Sequence, residues 1–268
     1  MISILKNNTL LAIADEYKEL IYQDLLSDFR DVLHRDIKGF SGRCTQFSYA
    51  CGKERLHVRS MRRGGLILGR LLGNLYMDRA RPFNELRVTE RLKEAGVKVA
   101  PIIAIKAVRI ARLFYRFVVV TKEIQDTQDL YTFIRNASWS ERAKVSLKVG
   151  EAVWHMHQAG VVHGDLQLRN ILVRPQKDEP EIYFIDLDRS RIVQNITYAQ
   201  RIKNIRRLHR SLEKWLGDLN LVTRQDKLRF LKGYLKNLDQ DLKEMAKRCT
   251  PSFLPHRLMW WIQKILRG

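Results

Sequence analysis

The spacing of apolar positions changes several times along this 268-residue chain, and each change predicts an element. Between residues 36 and 60, short β-like pieces around Gly39, Gly42 and Gly52 lead into LHVRS, which predicts a twisted hairpin sheet. From residue 81 to 95, Phe83, Leu86, Val88 and Leu92 recur at helical spacing, and Gly96 ahead of Pro101 predicts the stop. FVVVTKEI at 117–124 is β-branched and continuous, as a buried strand would be, and DTQDLYTFI then begins another helix. Ser138 and Glu141 stand at capping-box spacing before a long helix through VSLKVGEAVWHMHQ that Gly160 can end. NILV at 170–173 and IYFID at 182–186 read as two short strands. From about Thr197 the chain turns helical and basic, with Ile202, Ile205, Leu208, Leu212 and Leu216 on one stripe. The expected fold is α+β: a β-rich N-lobe with an N-terminal extension over residues 1–124, and a larger helical C-lobe over 125–268.

Charge adds a constraint on partners. Lys and Arg outnumber Asp and Glu by 49 to 29, a formal charge of +20, which draws the chain toward polyanions such as nucleic acid or an anionic membrane surface. No stacking-aromatic motif accompanies the charge, so nucleic acid is not the expected partner. Cys44, Cys51 and Cys249 are odd in number and lack CxxC or Cys/His spacing, so neither a disulfide framework nor a zinc site is indicated, and a reducing cytoplasm fits. The N-terminus lacks the marks of a signal peptide, and Lys106, Arg109, Arg112 and Arg116 interrupt the apolar stretch 97–121 too often for a membrane span. A soluble or peripheral protein is expected.

The chemistry concentrates in GVVHGDLQLRNILV. Asp165 and Asn170 lie five positions apart in a loop between a helix and a strand, and IYFI delivers Asp186 twenty-one positions after Asp165. Phosphoryl transfer needs a carboxylate to orient or deprotonate the attacking hydroxyl, and oxygen ligands for Mg²⁺ between phosphate groups. Asp165 suits the first role, Asn170 and Asp186 the second, and His163 is expected to buttress the loop. Any one of these residues alone could be a helix cap or a loop polar group; together they match a kinase. Leu187 and Asp188 depart from the DFG triplet and no A-P-E sequence follows, so a regulated protein kinase is disfavoured.

HGDL, RNIL and FIDLD resemble aminoglycoside phosphotransferases, choline kinases and atypical protein kinases alike. VRSMRRGGLILGRLL, RARPFNELRVTERLKEAGVKVAPIIA, TKEIQDTQDL and RRLHRSLEKWLGDLN narrow this. Over roughly residues 38–220 the chain resembles the lipopolysaccharide core kinase family, nearest to its Kdo (3-deoxy-D-manno-octulosonic acid) kinases. A core heptose kinase stays open as an alternative. The resemblance implies a protein-kinase-like two-lobed fold using ATP and Mg²⁺. It makes Glu85 the helix carboxylate paired with a strand cation, here Arg59 where protein kinases carry lysine. It puts the phosphate-covering loop at KGFSGRCTQFSY with Gly42, adenine at the backbone of Glu123 and Ile124, and an anionic sugar at Arg62 and Arg63 beside Gly64 and Gly65. The implied substrate is a lipopolysaccharide or lipid A precursor, met peripherally at the cytoplasmic face of the inner membrane of a Gram-negative bacterium. The basic helix bearing Arg201, Lys203, Arg206, Arg207, Arg210 and Lys214 would favour that surface, as would the Trp-rich C-terminal stretch PSFLPHRLMWWIQKILRG unless it docks on the C-lobe.

Overall fold

The computed structural model describes residues 1–6, 8–27, 37–38, 46–61, 75–78, 80–219, 221–236 and 242–249. The chain divides into two compact units, Met1–Thr89 with Ala100–Gln125, and Glu90–Val99 with Asp126–Gly268.

The first unit is built on a seven-stranded antiparallel sheet. Its strands are β1 (Ile2–Lys6), β2 (Thr9–Ile13), β3 (Ile37–Lys38), β4 (Gln46–Cys51), β5 (Glu54–Ser60), β6 (Ile102–Ala111) and β7 (Phe114–Lys122), in the spatial order β1-β2-β6-β7-β5-β4-β3. Period-two alternation divides the side chains between two cores. Leu11, Ile13, Phe47, Tyr49 and Val120 meet Ile21 and Leu25 of α1 (Lys18–Leu26) on one face. Ala12, Ile105, Phe117 and Val119 lie on the other, against Met61, Tyr76 and the partly buried Phe83 and Leu86. Both faces being covered explains why FVVV reads as a continuous apolar run. Lys106 is buried, and its ammonium donates to the Leu25 carbonyl at the end of α1, where the helix leaves carbonyls unsatisfied.

The α2 helix (Arg81–Glu94) begins in the first unit, and residues from Glu90 onward belong to the second. There the Lys98 carbonyl accepts from the Phe184 N–H at 3.0 Å. A small sheet in the second unit has the order β11-β10-β8, with β8 at Gln128–Asp129, β10 at Ile171–Arg174 and β11 at Glu181–Phe184. β9 (Val161–Val162) pairs with β12 (Arg191–Ile192). The Asp129 side chain caps α3 (Leu130–Asn136), and a reciprocal Ser138/Glu141 capping box opens α4 (Trp139–Gln158). Thr197 with Gln200 starts α5 (Tyr198–Leu216), and Thr223 with Asp226 starts α6 (Arg224–Leu235); α7 is Leu242–Cys249. Two glycines let α4 and α6 pack backbone to backbone: a Cβ on Gly150 would lie 2.0 Å from the Phe230 oxygen, and one on Gly233 2.1 Å from that of Leu147. Among the described residues, no helix is long and apolar enough to cross a membrane.

Candidate active site

The segment between β9 and β10 is fixed almost residue by residue. His163 is 1% exposed, and burial pulls its imidazole down to about 4, so the ring is neutral at pH 7. Its Nδ1 accepts from the Asp165 N–H at 3.0 Å, which assigns the proton to Nε2, donated to the Ile185 carbonyl at 3.2 Å. The histidine therefore ties the Asp165 loop to the residue preceding Asp186. Gly164 lies so close to the following turn that a Cβ there would be 2.2 Å from the Arg189 carbonyl carbon. Its N–H donates to the buried Ser190 hydroxyl at 3.1 Å.

The β10–β11 hairpin carries the two expected metal ligands at one end. Ile171 pairs with Phe184, so Asn170 precedes one strand where Asp186 follows the other, and the Ile185 N–H donates to the Asn170 carbonyl at 3.0 Å. Asn170 is buried and donates its side-chain N–H to the Asp165 carbonyl at 2.8 Å. That bond orients the amide so that its oxygen is the pole left for a cation. Asp186 is exposed and adopts φ +58°, a region that a non-glycine residue enters at a cost. The donors are all oxygen, one carboxylate and one amide, a set suited to Mg²⁺ completed by phosphate oxygens.

Asp165 has a half-exposed carboxylate. Gln167 Nε2 donates to one oxygen at 3.0 Å, and Arg207 Nη1 lies 3.6 Å from the other. Arg207 belongs to α5, one face of which follows the loop. Asn204 donates to the His163 carbonyl at 2.8 Å, Arg207 faces Asp165, the Ser211 hydroxyl accepts from the Leu168 N–H at 3.1 Å, and Trp215 stacks under Arg169 at 4.5 Å. Spacings of three and four make these four one helical face. Asn204, Ser211 and Ser190 were not among the candidates read from sequence, and Arg207 was read there only as a membrane-facing cation. The helical spacing of Asn204, Arg207 and Ser211 was legible, but the loop they meet lies some forty positions away in sequence.

In the first unit, Arg59 on β5 and Glu85 on α2 form an ion pair at 2.6 Å, with Glu85 only 3% exposed. The strand cation and helix carboxylate thus meet as expected. The Glu123 N–H is donated to the Arg55 carbonyl at 2.9 Å, and its carboxylate lies 3.4 Å from Arg55 Nε; Ile124 follows directly. Gly42, Arg62, Arg63 and the stretch 250–268 lie outside the described residues.

This fold and this loop define a kinase of the protein-kinase-like class. The model of the lipopolysaccharide kinase (Kdo/WaaP) family matches residues 32–234, and the chain belongs to that family. It is an enzyme, a phosphotransferase acting on an alcohol group, and kinase chemistry implies ATP. Among its relatives, 3-deoxy-D-manno-octulosonic acid kinase of Photobacterium damsela subsp. piscicida is 28% identical over 209 residues, covering 76% of this chain and 84% of the relative. The enzyme of the same name from Vibrio vulnificus strain YJ016 is 34% identical over 178 residues, covering 65% and 72%. A solved structure, "WaaP in complex with acyl carrier protein", matches the fold with TM-score 0.61 at 20% identity, over 95% of this chain and 96% of that one.

Proposed function

We propose that this chain phosphorylates Kdo in the inner core of lipopolysaccharide, using ATP. The observation that carries the reading is the family match over residues 32–234, a span that holds Asp165, Asn170 and Asp186, joined to 34% identity over 178 residues with a 3-deoxy-D-manno-octulosonic acid kinase. Asp165 orients or deprotonates the sugar hydroxyl, and the Gln167 and Arg207 contacts keep its carboxylate aimed. Asn170 and Asp186 would hold Mg²⁺, which would supply positive charge to offset that of the transferring group. Arg59, steadied by Glu85, serves the phosphates, as a guanidinium can through two parallel bonds. Gly42 belongs to the phosphate-covering loop, adenine meets the backbone at Glu123 and Ile124, and Arg62 and Arg63 receive the anionic sugar. The basic chain works peripherally at the cytoplasmic face of the inner membrane, where its lipid-linked substrate presents an anionic surface.

The test is incubation of the purified protein with labelled ATP, Mg²⁺ and a Kdo-bearing lipid A precursor, followed by location of the phosphate in the product. Label on Kdo is the expected result. No incorporation while an authentic Kdo kinase works alongside would reject the assignment, and label on a heptose of a longer acceptor would transfer it to a core heptose kinase.

A further inference from the structure

Next to Asn170, in the same fixed loop, stands a cation to which the proposed handling of ATP assigns no role. Leu168 and Asn170 are buried, and the Leu168 N–H is held by Ser211, so Arg169 between them is turned outward and exposed. Its guanidinium lies 4.5 Å from the Trp215 ring and 5.2 Å from that of Tyr131, whose centroids are 6.1 Å apart. Two further cations share these rings, Arg135 over Tyr131 at 5.6 Å and Lys214 over Trp215 at 5.0 Å.

The acidic partners set this cluster apart from the other stacked arginines of the second unit. Arg174 over Tyr183 also pairs with Glu181 at 2.9 Å, Arg229 over Trp139 with Asp226 at 3.0 Å, and Arg248 over Tyr198 with Glu244 at 2.5 Å. Arg169, Arg135 and Lys214 have no carboxylate within ion-pair distance among the described residues. Three like charges around two rings repel one another, and an arriving anion relieves that repulsion. An aromatic clamp also holds the guanidinium plane in advance, so little side-chain freedom is lost when its fork closes on a carboxylate or phosphate.

We propose that Arg169, clamped by Tyr131 and Trp215 and flanked by Arg135 and Lys214, anchors an anion subsite for the acceptor beside the catalytic loop. The group it takes is a carboxylate or phosphate of a lipid-linked anionic sugar, an inference that rests on the proposed function for the identity of the acceptor. The chain from Asp165 to Arg169 spans at most about 14 Å, within the reach of one or two sugar units.

The decisive measurement separates acceptor KM from kcat and from ATP KM in Arg169→Ala, Arg169→Lys and the Arg135→Gln/Lys214→Gln double variant, with thermal melting of each as a control. Arg169→Ala should raise acceptor KM about ten-fold, the loss of a charge-assisted pair, with kcat and ATP KM unchanged. Arg169→Lys should recover only part of it, because an ammonium lacks the fork. A precursor stripped of its disaccharide phosphates tells the two sources apart: a persisting penalty assigns the subsite to the sugar carboxylate, and a vanishing one to the phosphates. Unchanged acceptor KM in both Arg169 variants, with the wild type active, overturns the subsite and leaves the kinase assignment standing. Calorimetric titration of the same glycolipid without ATP covers the converse. Binding that depends on Arg169 in a wild type that does not turn the glycolipid over upholds the subsite and removes the assignment.

Discussion

Asn204 of α5 donates its side-chain amide to the carbonyl of His163 at 2.8 Å, two residues before Asp165. The bond is one link of a directed chain. Tyr234 faces His157 Nδ1 at 2.8 Å, His157 Nε2 faces Asn204 Oδ1 at 3.1 Å, and His163 Nε2 reaches the Ile185 carbonyl. With His157 neutral and Asn204 Oδ1 able only to accept, the imidazole proton lies on Nε2, and Tyr234 donates to Nδ1. The helices thus grip the Asp165 loop through buried polar groups whose partners each have a single arrangement.

Replacing Asn204 by Leu removes two bonds and leaves the His163 carbonyl and the His157 N–H buried without partners. The expected cost is about 2–4 kcal/mol of stability, read from urea unfolding, because buried orphan groups forfeit their hydration. Turnover should fall with it, since the carbonyl that positions Asp165 is released. A variant as stable as wild type would remove Asn204 from this role.

The two buried histidines also predict the pH response. Burial pulls both His157 and His163 down to about 4, whereas an unfolded histidine titrates near 6.5. Between those values the unfolded chain binds more protons, so stability rises with pH there. Their contribution is complete above about pH 6.5 and lost as pH falls toward 4, at most roughly 3 kcal/mol per histidine. Urea midpoints at pH 7.5, 6 and 4.5 should therefore decline, and less steeply in His157→Gln. A wild-type midpoint independent of pH over that range would contradict the assignment.

Much of this frame was legible because its causes are local. Ser138 and Glu141 form the capping box their spacing implied, Gly160 follows the helix end at φ +78°, Phe83 and Leu86 pack on an apolar cluster, and Val88 and Leu92 are fully buried. The Asp165/Asn170/Asp186 spacing could be read because one loop and one hairpin carry all three residues. The β1–β2 hairpin went unread: its two five-residue strands are too short to declare a period, and the strand that β2 pairs with, β6, begins nearly ninety residues later. Asn204 and Ser211 escaped notice for a related reason. On a helix with a clear apolar stripe, polar residues at the stripe's edge look solvated until the loop they bind is in place. Gly164 read as part of a motif, while its physical reason, the Arg189 backbone, lies twenty-five positions on.

Arg59 and Glu85 give a prediction confined to the first unit. Arg59→Ala takes the cation 2.6 Å from a carboxylate that is 3% exposed, and losing one partner of such a buried pair costs about 3–5 kcal/mol. Glu85→Gln in the Arg59→Ala background should restore part of that loss, because a neutral amide costs less to bury than a charge that has lost its guanidinium. A double-mutant cycle on unfolding free energies checks this, and additive losses would show that the pair is not coupled.

Asp165 separates chemistry from structure. Its carboxylate is 43% exposed and, among the described residues, meets Gln167 and Arg207 alone, whereas its backbone N–H and carbonyl carry the bonds to His163 and Asn170. Asp165→Asn keeps those backbone bonds and nearly the same side-chain shape, so the melting temperature should stay close to that of wild type. Turnover should drop roughly 10²–10⁴-fold, the range for loss of a group that takes a proton in the transition state. The acceptor KM should hardly move, since the hydroxyl still meets a polar group of the same size. Arg207→Ala should do less, because Gln167 still holds the carboxylate, and its effect should appear in kcat. A fully active Asp165→Asn protein would place the base elsewhere in the loop, and an unstable one would make this residue structural.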